Sequence, residues 1–149
     1  MKLSNTVNIE NRKARFDYQI LETLVAGIQL KGTEIKSIRS GKAGLADSYC
    51  VFKGNELYVR NLHISEYENA SFFSHEPMRE RKLLLNRHEI SKWQRKVKEQ
   101  GLTIVPTKLF LSEKGYAKLN LALAKGKKAF DKREDIKKKD TERELQRKF

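Results

Sequence analysis

The last 25 residues, 125–149, place the strongest limit on what this chain can fold into, and they read KGKKAFDKREDIKKKDTERELQRKF. They contain 11 basic and 6 acidic residues but only five apolar ones. Burying five apolar side chains gains on the order of 10 kcal/mol, whereas fixing 25 backbones costs roughly 25 kcal/mol or more. We therefore predict a folded domain at 1–124 and a basic tail at 125–149 that is disordered until a partner orders it.

The tail also carries a pattern typical of helices. Glu134 with Lys138 and Glu144 with Lys148 are acid-first pairs at i,i+4 spacing. Each pair contributes only about 0.2–0.5 kcal/mol to a helix, so a stable helix in water is not expected. We predict that the tail becomes helical on a negatively charged surface. The alternative is a solvated tail that aids solubility.

The charge of the whole chain indicates its class of partner. The net charge is +13 with a pI near 9.9, and residues 1–124 alone carry a net +8. Nucleic acid is the leading partner class. A membrane surface is a lesser option, because the chain has no run of 18 apolar residues and starts MKLSNTVNIEN, without a signal-peptide core. The single cysteine, Cys50, excludes an internal disulfide and favours a cytoplasmic location.

Hydrophobic periodicity predicts strands over most of the domain. The predicted strands are Gln19–Leu30, Tyr49–Lys53, Glu56–Arg60, Arg79–Leu85, Thr103–Leu111 and Tyr116–Ala124. Gly54-Asn55 is a two-residue hairpin signal. In the first strand, alternation places Ile20 on one face with Leu24 and Ala26. In the last strand, apolar residues alternate with a second set that is expected on a wet, solvent-exposed face. The apolar residues are Ala117, Leu119, Leu121 and Leu123, and the second set is Lys118, Asn120 and Ala122.

Capping signals predict three helices. The first, Asn8–Tyr18, begins at Asn8 as its cap; Thr33 caps the second, Glu34–Ser40. Asn86 and Glu89 form a capping-box pattern for the third, which ends at Gly101. Lys92, Arg95, Lys96 and Lys98 on that helix are expected on a solvated outer face.

These elements favour one architecture. We predict a mainly β fold: a six-stranded oligonucleotide-binding-like antiparallel barrel with about three peripheral α-helices. An open α+β sandwich is the alternative. Pro106 indicates an edge or a bulge in its strand. The connection Leu62–Pro77 shows no period, and its Tyr67, Phe72 and Phe73 are candidates to cover one end of the barrel.

The common catalytic and metal-binding patterns do not match this sequence. Gly41-Lys42 suggests a phosphate loop, but Lys36 stands where the first glycine is needed and Ala43 follows the lysine. The potential metal ligands are Cys50, His63, His75 and His88, at spacings that match no zinc site. No nucleophile with a base and an orienting acid is evident. We therefore predict no catalysis, no cofactor and no metal.

RNA recognition is the chemistry that the remaining residues favour. Basic residues that can hold phosphates are Arg39, Lys42, Arg60, Arg81 and Lys82. Aromatic residues that can stack on bases are Tyr49, Tyr58 and Phe130. Barrel packing is the alternative role of Tyr49 and Tyr58.

Three stretches occur in a diagnostic order: GTEIKSIRSGKAGLADSY at 32–49, RKLLLN at 81–86 and GKKAFDKREDIK at 126–137. Together they resemble the SsrA-binding protein family, also called small protein B, and the resemblance extends from about Asn8 to the end. It implies the barrel with helices and a non-enzymatic partner of transfer-messenger RNA in bacteria.

The resemblance also implies how such a protein acts. The body is expected to bind the transfer-RNA-like domain of transfer-messenger RNA around its D-loop and elbow. That binding assists charging by alanyl-tRNA synthetase and delivery with elongation factor Tu and GTP to stalled ribosomes. The tail is expected to enter the vacant mRNA channel of the small subunit and to become helical there. The nascent peptide then moves to the RNA, which encodes a degradation tag.

Residue pattern and resemblance together give two sets of predicted site residues. For transfer-messenger RNA they are Asn11, Arg12, Lys13, Arg15, Glu34, Lys36, Arg39, Lys42, Tyr49, Arg81, Lys82 and Leu84. For the decoding centre and mRNA channel, where small-subunit RNA is the partner, they are Lys127, Lys128, Phe130, Asp131, Lys132, Arg133, Ile136, Lys137 and Leu145. Asn11 and Leu84 match family positions tied to RNA binding.

Two positions depart from the family pattern. Val25 stands where many members carry an acidic residue, so a polar contact expected there is absent or supplied by another group. Phe130 stands where many members carry histidine. Stacking on a ribosomal base survives that change, whereas hydrogen bonding does not.

Two other classes compete with this interpretation. A structural ribosomal protein is also small, basic and tailed, but the mixed charge of the tail and the motif set favour an adaptor. A barrel-bearing nuclease would need acidic residues for two metals, and no such cluster is apparent.

Overall fold

The computed structural model describes residues 7–67 and 74–126. The strands are β1 Asn8–Glu10, β2 Tyr18–Ile28, β3 Ala43–Gly44, β4 Tyr49–Lys53, β5 Glu56–Arg60, β6 His63–Ile64, β7 Arg81–Leu84, β8 Thr103–Leu111 and β9 Ala117–Gly126. The helices are α1 Arg12–Asp17, α2 Gly32–Arg39 and α3 Arg87–Gln100. Expectations for the tail beyond Gly126, and for Phe72 and Phe73, concern residues outside these ranges.

Six antiparallel strands close into a ring in the order β8, β4, β5, β7, β2 and β9. The ring closes because β9 pairs with β2 on one side and with β8 on the other. These are the six strands that periodicity predicts, so the mainly β, oligonucleotide-binding-like architecture is confirmed over the open sandwich. The ladder of β8 on β9 is irregular between Pro106 and Lys108, as the proline predicts.

The inner faces of the ring supply the core. Leu57, Leu83, Leu109 and Leu119 are fully buried, and for Leu119 the alternation along its strand predicts this. The predicted wet face of β9 is only partly correct, because Ala122 and Ala124 on that face are also buried. Their cover comes from a second small cluster in which Ala14 of α1 and Val105 of β8 pack against them. Helix α1 therefore closes over the outside of β8 and β9.

The prediction of one helix over Asn8–Tyr18 is wrong at its start. Asn8–Glu10 form strand β1 on the edge of β8, with Ile9 opposite Leu109. The helix begins three residues later because Asn11, not Asn8, caps it. Pairing with β8 overrides the local capping preference of Asn8, which sequence alone does not reveal.

Helix α2 also begins earlier than predicted. It starts at Gly32, and the Glu34 carboxylate accepts a hydrogen bond from the Lys31 N–H at 2.8 Å. Thr33, predicted as the cap, lies 2.9 Å from His75 Nδ1 through its hydroxyl. His75 Nε2 donates to the Ile64 carbonyl at 2.8 Å, so the ring joins α2 to β6.

Helix α3 agrees with its predicted signals. Asn86 and Glu89 form the capping box, and Gly101 ends the helix at φ +63°. Trp93 is buried in the main core. The predicted solvated face is interrupted, because Lys92 and Lys96 ion-pair with one carboxylate of β2.

That carboxylate belongs to Glu22, which lies beside an irregularity of β2. Lys96 Nζ lies 2.6 Å and Lys92 Nζ 3.1 Å from its oxygens, and donation from both lowers the pKa of Glu22 to about 2. The register of β2 against β9 shifts between Ile20 and Glu22. An extra residue reverses the faces of a strand, so the predicted inward position of Ile20 is wrong and its side chain is exposed.

Candidate nucleic-acid interface

Helix α1 presents three basic side chains on the surface. Arg12, Lys13 and Arg15 are all exposed. Lys13 Nζ donates to Asp47 Oδ1 at 2.6 Å. Hydrogen bonding to Asp47 raises the pKa of Lys13, so the ammonium group remains charged at neutral pH. This arrangement places positive charge above β8 and β9.

Asn11 fixes α1 to the body of the protein. Its Oδ1 accepts from the Ala14 N–H at 3.1 Å, and its Nδ2 donates to the carbonyls of Pro106 at 2.9 Å and Leu45 at 3.2 Å. The side chain is buried and its amide is used within the protein. Asn11, predicted as an RNA-binding residue, is therefore placed to position the basic helix.

Asn11→Ala is expected to destabilise the fold by about 2–3 kcal/mol. The substitution removes a cap worth about 1 kcal/mol and leaves buried carbonyls without a donor, at a cost of about 1–3 kcal/mol. Asn86→Ala is the matched control, because Asn86 caps α3 through one bond to Glu89 at 2.8 Å and is exposed. Urea unfolding of both variants measures the difference. Equal losses would contradict the anchoring role.

A cleft lies between α1 and the start of β4, and we call it the α1 cleft. It is lined by Asn11, Lys13, Ala14, Asp17, Tyr18, Asp47, Ser48, Tyr49, Thr103 and Val105. The lining contains three of the predicted RNA-binding residues, Asn11, Lys13 and Tyr49. Tyr49 is half-buried and packs against the cluster under α1, so it contributes to packing and keeps some accessible surface.

A second cleft crosses β7, β2 and β9, and we call it the Leu84 cleft. Gly27 of β2 pairs with Leu84 on one side and with Lys118 on the other. Residues directly opposite each other share a face of a sheet, so Gly27 forms the floor between two side chains. The cleft is lined by Gly27, Ile28, Leu30, Ile35, Arg39, Leu84, Lys114, Gly115, Tyr116, Ala117 and Lys118.

The Leu84 cleft combines exposed apolar surface with positive charge. Leu84 is 53% and Tyr116 66% exposed, although both are large apolar or aromatic residues. Arg39, Lys114 and Lys118 supply the charge, and none of the described lining residues is acidic. A side chain at Gly27 would fill part of this space, because its Cβ would lie 3.3 Å from Leu84 Cβ.

Several members of this cleft are not among the residues predicted from the sequence. Arg39 and Leu84 are, whereas Gly27, Lys114, Tyr116 and Lys118 are not. Lys118 lies on the predicted wet face of its strand, which is a usable signal. Tyr116 is the first residue of the predicted strand and shares that face with Lys118. Its position near Leu84 depends on the antiparallel pairing of β2, which the sequence does not reveal.

Two predicted RNA-binding residues are instead part of the interior. Glu34 and Arg81 are both 0% exposed. Arg81 Nε donates to Glu34 Oε2, and Arg81 Nη1 donates to the Leu62 carbonyl at 2.6 Å. A buried guanidinium cannot hold a phosphate at the surface, so the burial of Arg81 contradicts its predicted phosphate-binding role. Glu34, its partner, is equally buried and cannot contact RNA at the surface.

The buried pair is extended by Arg79. Its Nη2 lies 2.5 Å from Glu34 Oε1. Burial alone would raise the pKa of Glu34, but donation from Arg79, the Lys31 N–H and Arg81 outweighs it and lowers that pKa. Burial lowers the pKa of Arg81. The carboxylate therefore stays ionised and joins α2 to β7 and to the segment before it.

The other predicted cations lie outside both clefts. Lys36 Nζ lies 5.3 Å from the centroid of the Tyr67 ring. Lys82 Nζ lies 3.4 Å from a Glu56 oxygen, and Lys42 is exposed after α2.

Two residues of the β4–β5 hairpin that were predicted to contact RNA also have partners within the protein. Arg60 Nε donates to Glu80 at 2.6 Å, and Tyr58 lies under Lys53 Nζ at 5.3 Å. Among the predicted RNA-binding residues with exposed surface, the structure brings Lys13 and Tyr49 together in the α1 cleft. It brings Arg39 and Leu84 together in the Leu84 cleft.

The predicted ribosome-binding residues lie beyond the described part of the chain, but the origin of the tail is defined. Strand β9 ends at Gly126, which pairs with Tyr18 at the start of β2. Tyr18 follows α1 directly and lines the α1 cleft. The tail therefore leaves the ring beside α1.

Within the described ranges, no three histidine, cysteine or acidic residues are grouped so that they could bind a metal. No helix within 7–67 and 74–126 has the length and apolar character needed to span a bilayer.

Comparison with known proteins gives one consistent family. The family model described as SmpB protein matches residues 8–149. The SsrA-binding protein of Bacteroides thetaiotaomicron is 56% identical over 144 residues, which cover 97% of this chain and 96% of the relative. That of Cytophaga hutchinsonii is 53% identical over 146 residues, covering 98% and 95%. A solved structure described as "tmRNA-SmpB: a journey to the center of the bacterial ribosome" is similar, with TM-score 0.70 and 52% identity over 83% of this chain and 87% of that one.

Proposed function

The chain belongs to the SsrA-binding protein family, and from this premise we propose that it is an RNA-binding adaptor of trans-translation. Its body binds the transfer-RNA-like domain of transfer-messenger RNA. The observation that carries this proposal is the Leu84 cleft, where apolar, aromatic and cationic side chains meet across three strands. The similar solved structure, whose description couples tmRNA with SmpB, supports it.

The chemistry of the Leu84 cleft suits an unstacked stretch of RNA. Bases splayed from a loop stack on aromatic rings and pack on apolar side chains, while cations hold the neighbouring phosphates. Tyr116 and Leu84 offer the first kind of contact, and Arg39, Lys114 and Lys118 the second. Gly27 keeps the floor open, so a base reaches the backbone of β2.

Helix α1 adds a second, electrostatic contribution. Arg12, Lys13 and Arg15 neutralise phosphates, and release of counterions makes the affinity fall steeply with salt. Lys36, Lys42 and Lys82 extend the positive surface of the body. Asn11, Glu34 and Arg81 act through the elements that they hold in place, and Tyr49 acts at the mouth of the α1 cleft.

The tail performs the second half of the task. It enters the decoding centre and the vacant mRNA channel and becomes helical there, through Lys127, Lys128, Phe130, Asp131, Lys132, Arg133, Ile136, Lys137 and Leu145. Ordering costs roughly 1–2 kcal/mol per residue, which contacts inside the channel offset. A channel filled by messenger RNA excludes the helix, so the adaptor acts only on stalled ribosomes.

The remaining parts of the proposal follow from this division of labour. The protein catalyses no reaction and needs no cofactor. Elongation factor Tu and alanyl-tRNA synthetase are indirect partners, since both act on the RNA that the body holds. The work takes place in the cytoplasm, where ribosomes stall, and it releases the nascent peptide with a degradation tag.

Tyr116→Ala and Leu84→Ala are each expected to weaken binding of transfer-messenger RNA about tenfold. Loss of one base contact on a side-chain platform costs about 1–3 kcal/mol, and about 1.4 kcal/mol is tenfold in affinity. Leu21→Ala is the matched control, because Leu21 is 47% exposed on the same strand as Gly27 but lines neither cleft. Filter binding of labelled RNA at several salt concentrations measures the effects. A loss in Leu21→Ala equal to that in Leu84→Ala would contradict this site.

A further inference from the structure

The α1 cleft differs chemically from the Leu84 cleft because carboxylates line it. Asp17 and Asp47 stand in its wall with Tyr18, Tyr49 and the cation Lys13. A cleft that serves only to attract phosphates would not carry two acidic side chains, since they repel the ligand. The lining therefore indicates a more selective ligand than the RNA backbone.

The two aromatic residues share one apolar support. Tyr18 and Tyr49 both pack against the cluster of Ala14, Val105 and Ala122. Both are half-buried, so part of each side chain remains accessible from the cleft. Aromatic side chains on a rigid support are the usual platform for an unstacked base.

Asp47 is held in an uncommon backbone conformation. Its φ is +63°, and the neighbouring left-handed residue, Asn61 at φ +60°, donates from Nδ2 to the Asp47 carbonyl at 3.4 Å. Non-glycine residues seldom adopt this region, and it is frequent at functional sites. The effect here is to present a carboxylate that is 69% exposed on a defined turn.

Lys13 and Asp47 together form a donor beside an acceptor. Lys13 Nζ lies 2.6 Å from Asp47 Oδ1. The Watson–Crick edge of guanine carries the O6 acceptor next to two N–H donors, N1 and N2. A carboxylate accepts from both donors while an ammonium group donates to O6. Adenine, cytosine and uracil do not present that sequence of groups.

We propose that the α1 cleft binds an unstacked guanine of RNA, with Lys13 and Asp47 at its Watson–Crick edge and Tyr18 and Tyr49 against its ring. The inference rests on the proposed function only in that the ligand is RNA. Because Tyr18 pairs with Gly126, this guanine binds beside the origin of the tail. The cleft adds base selectivity to a surface that is otherwise electrostatic.

The test uses the full-length chain and three labelled RNA hexamers, UUUGUU, UUUIUU and UUUAUU, where I is inosine, which lacks the N2 amino group. Fluorescence anisotropy is expected to show about tenfold tighter binding of the guanosine hexamer than of the adenosine hexamer, as for a well-formed bidentate contact. The inosine hexamer is expected to bind with intermediate affinity.

Asp47→Asn is expected to abolish the preference for guanosine. Asparagine keeps the size of the side chain and tolerates φ near +60°, and a thermal melt verifies that the variant is folded. Glu113→Gln is the matched control, because Glu113 is an exposed carboxylate outside both clefts. Equal affinity for the three hexamers, or an unchanged preference in Asp47→Asn, would overturn the proposal.

The same measurements separate this inference from the proposed function. Leu84→Ala is expected to weaken binding of transfer-messenger RNA while leaving the ratio of guanosine to adenosine affinity unchanged. Hexamers without a preference, together with an intact Leu84 effect, overturn the guanine site alone. A guanosine preference without any Leu84 effect overturns the Leu84 cleft and leaves the guanine site standing.

Discussion

Glu34→Gln is expected to lower the free energy of unfolding by about 3–5 kcal/mol, because it leaves the buried guanidinium of Arg81 without its counter-ion. Glu34 and Arg81 have no exposed surface. Glutamine keeps the volume of the side chain, so the loss reports charge and hydrogen bonding rather than a cavity. Against a typical total of about 5–15 kcal/mol, this is the largest single-residue effect that we expect in the body.

Glu80→Gln is the matched control for that measurement. Glu80 also binds two cations, Lys53 and Arg60, but all three side chains are solvent-accessible. Exposed ion pairs contribute about 0–1 kcal/mol. Urea unfolding of both variants at neutral pH gives the comparison, and similar losses in the two would refute the dominant role of burial.

The pH dependence of the free energy of unfolding tests the role of Glu34 independently. The pKa of Glu34 lies below its ordinary value of 4.5 in the folded protein. Its ionised form therefore stabilises the fold above that value, and the contribution is lost as the pH falls through the folded pKa. The difference in stability between wild type and Glu34→Gln is expected to be full at pH 7 and to shrink below pH 4.5. A difference that is constant down to acid unfolding would contradict this assignment.

The loss of Glu34 is also expected to weaken RNA binding. Helix α2 carries Arg39 into the Leu84 cleft, and the Glu34 carboxylate joins the first turn of that helix to Arg81 of β7, the strand that carries Leu84. Two walls of the cleft are thus held together by one buried ion pair. This explains how residues without exposed surface can matter for a surface function.

The ring of strands could be predicted because the alternation of apolar and polar residues within a strand shows which of its faces is buried. Leu119 and Leu121 are buried, while Lys118 and Asn120, which alternate with them, are not. The Gly54-Asn55 turn fixes the register of β4 and β5 locally. Such signals depend only on neighbours in sequence, so they survive without knowledge of the fold.

The incorrect predictions concern residues whose conformation depends on pairing with a strand that is distant in sequence. Asn8–Glu10 become a strand only because the edge of β8 is there to receive them. Ile20 changes face because the register of β2 against β9 shifts beside it. No local pattern of apolar residues encodes either event.

The candidate sites show the same limit. Charged residues are almost never fully buried, so a sequence places Glu34 and Arg81 on the surface. Their burial depends on a pairing between residues 47 positions apart. Tyr116 and Lys118 reach the Leu84 cleft only through the ladder of β2 between β7 and β9.

Ending the chain at Gly126 is expected to leave binding of transfer-messenger RNA within about threefold of wild type, while peptide tagging on stalled ribosomes becomes undetectable. The described part of β9 runs to Gly126, which pairs with Tyr18, so the truncated chain keeps every contact that the described residues make. The removed segment carries ten basic and six acidic residues, a net +4. Those charges of the removed segment that lie more than about 8 Å from the RNA are largely screened at physiological salt, so we expect the affinity to change by no more than this factor.

A full-length variant in which residues 127–149 are scrambled is the matched control for that truncation. It keeps the length and charge of the tail but destroys the order of Phe130, Ile136 and Leu145 and the acid-first spacing that favours a helix. Tagging is expected to fail in this variant too, because the proposed function requires one specific helix in the channel. If the scrambled tail supported tagging, the charge of the segment would be sufficient and its specific sequence would not be needed. Loss of transfer-messenger RNA binding on truncation would place the RNA contact in the tail and not in the body.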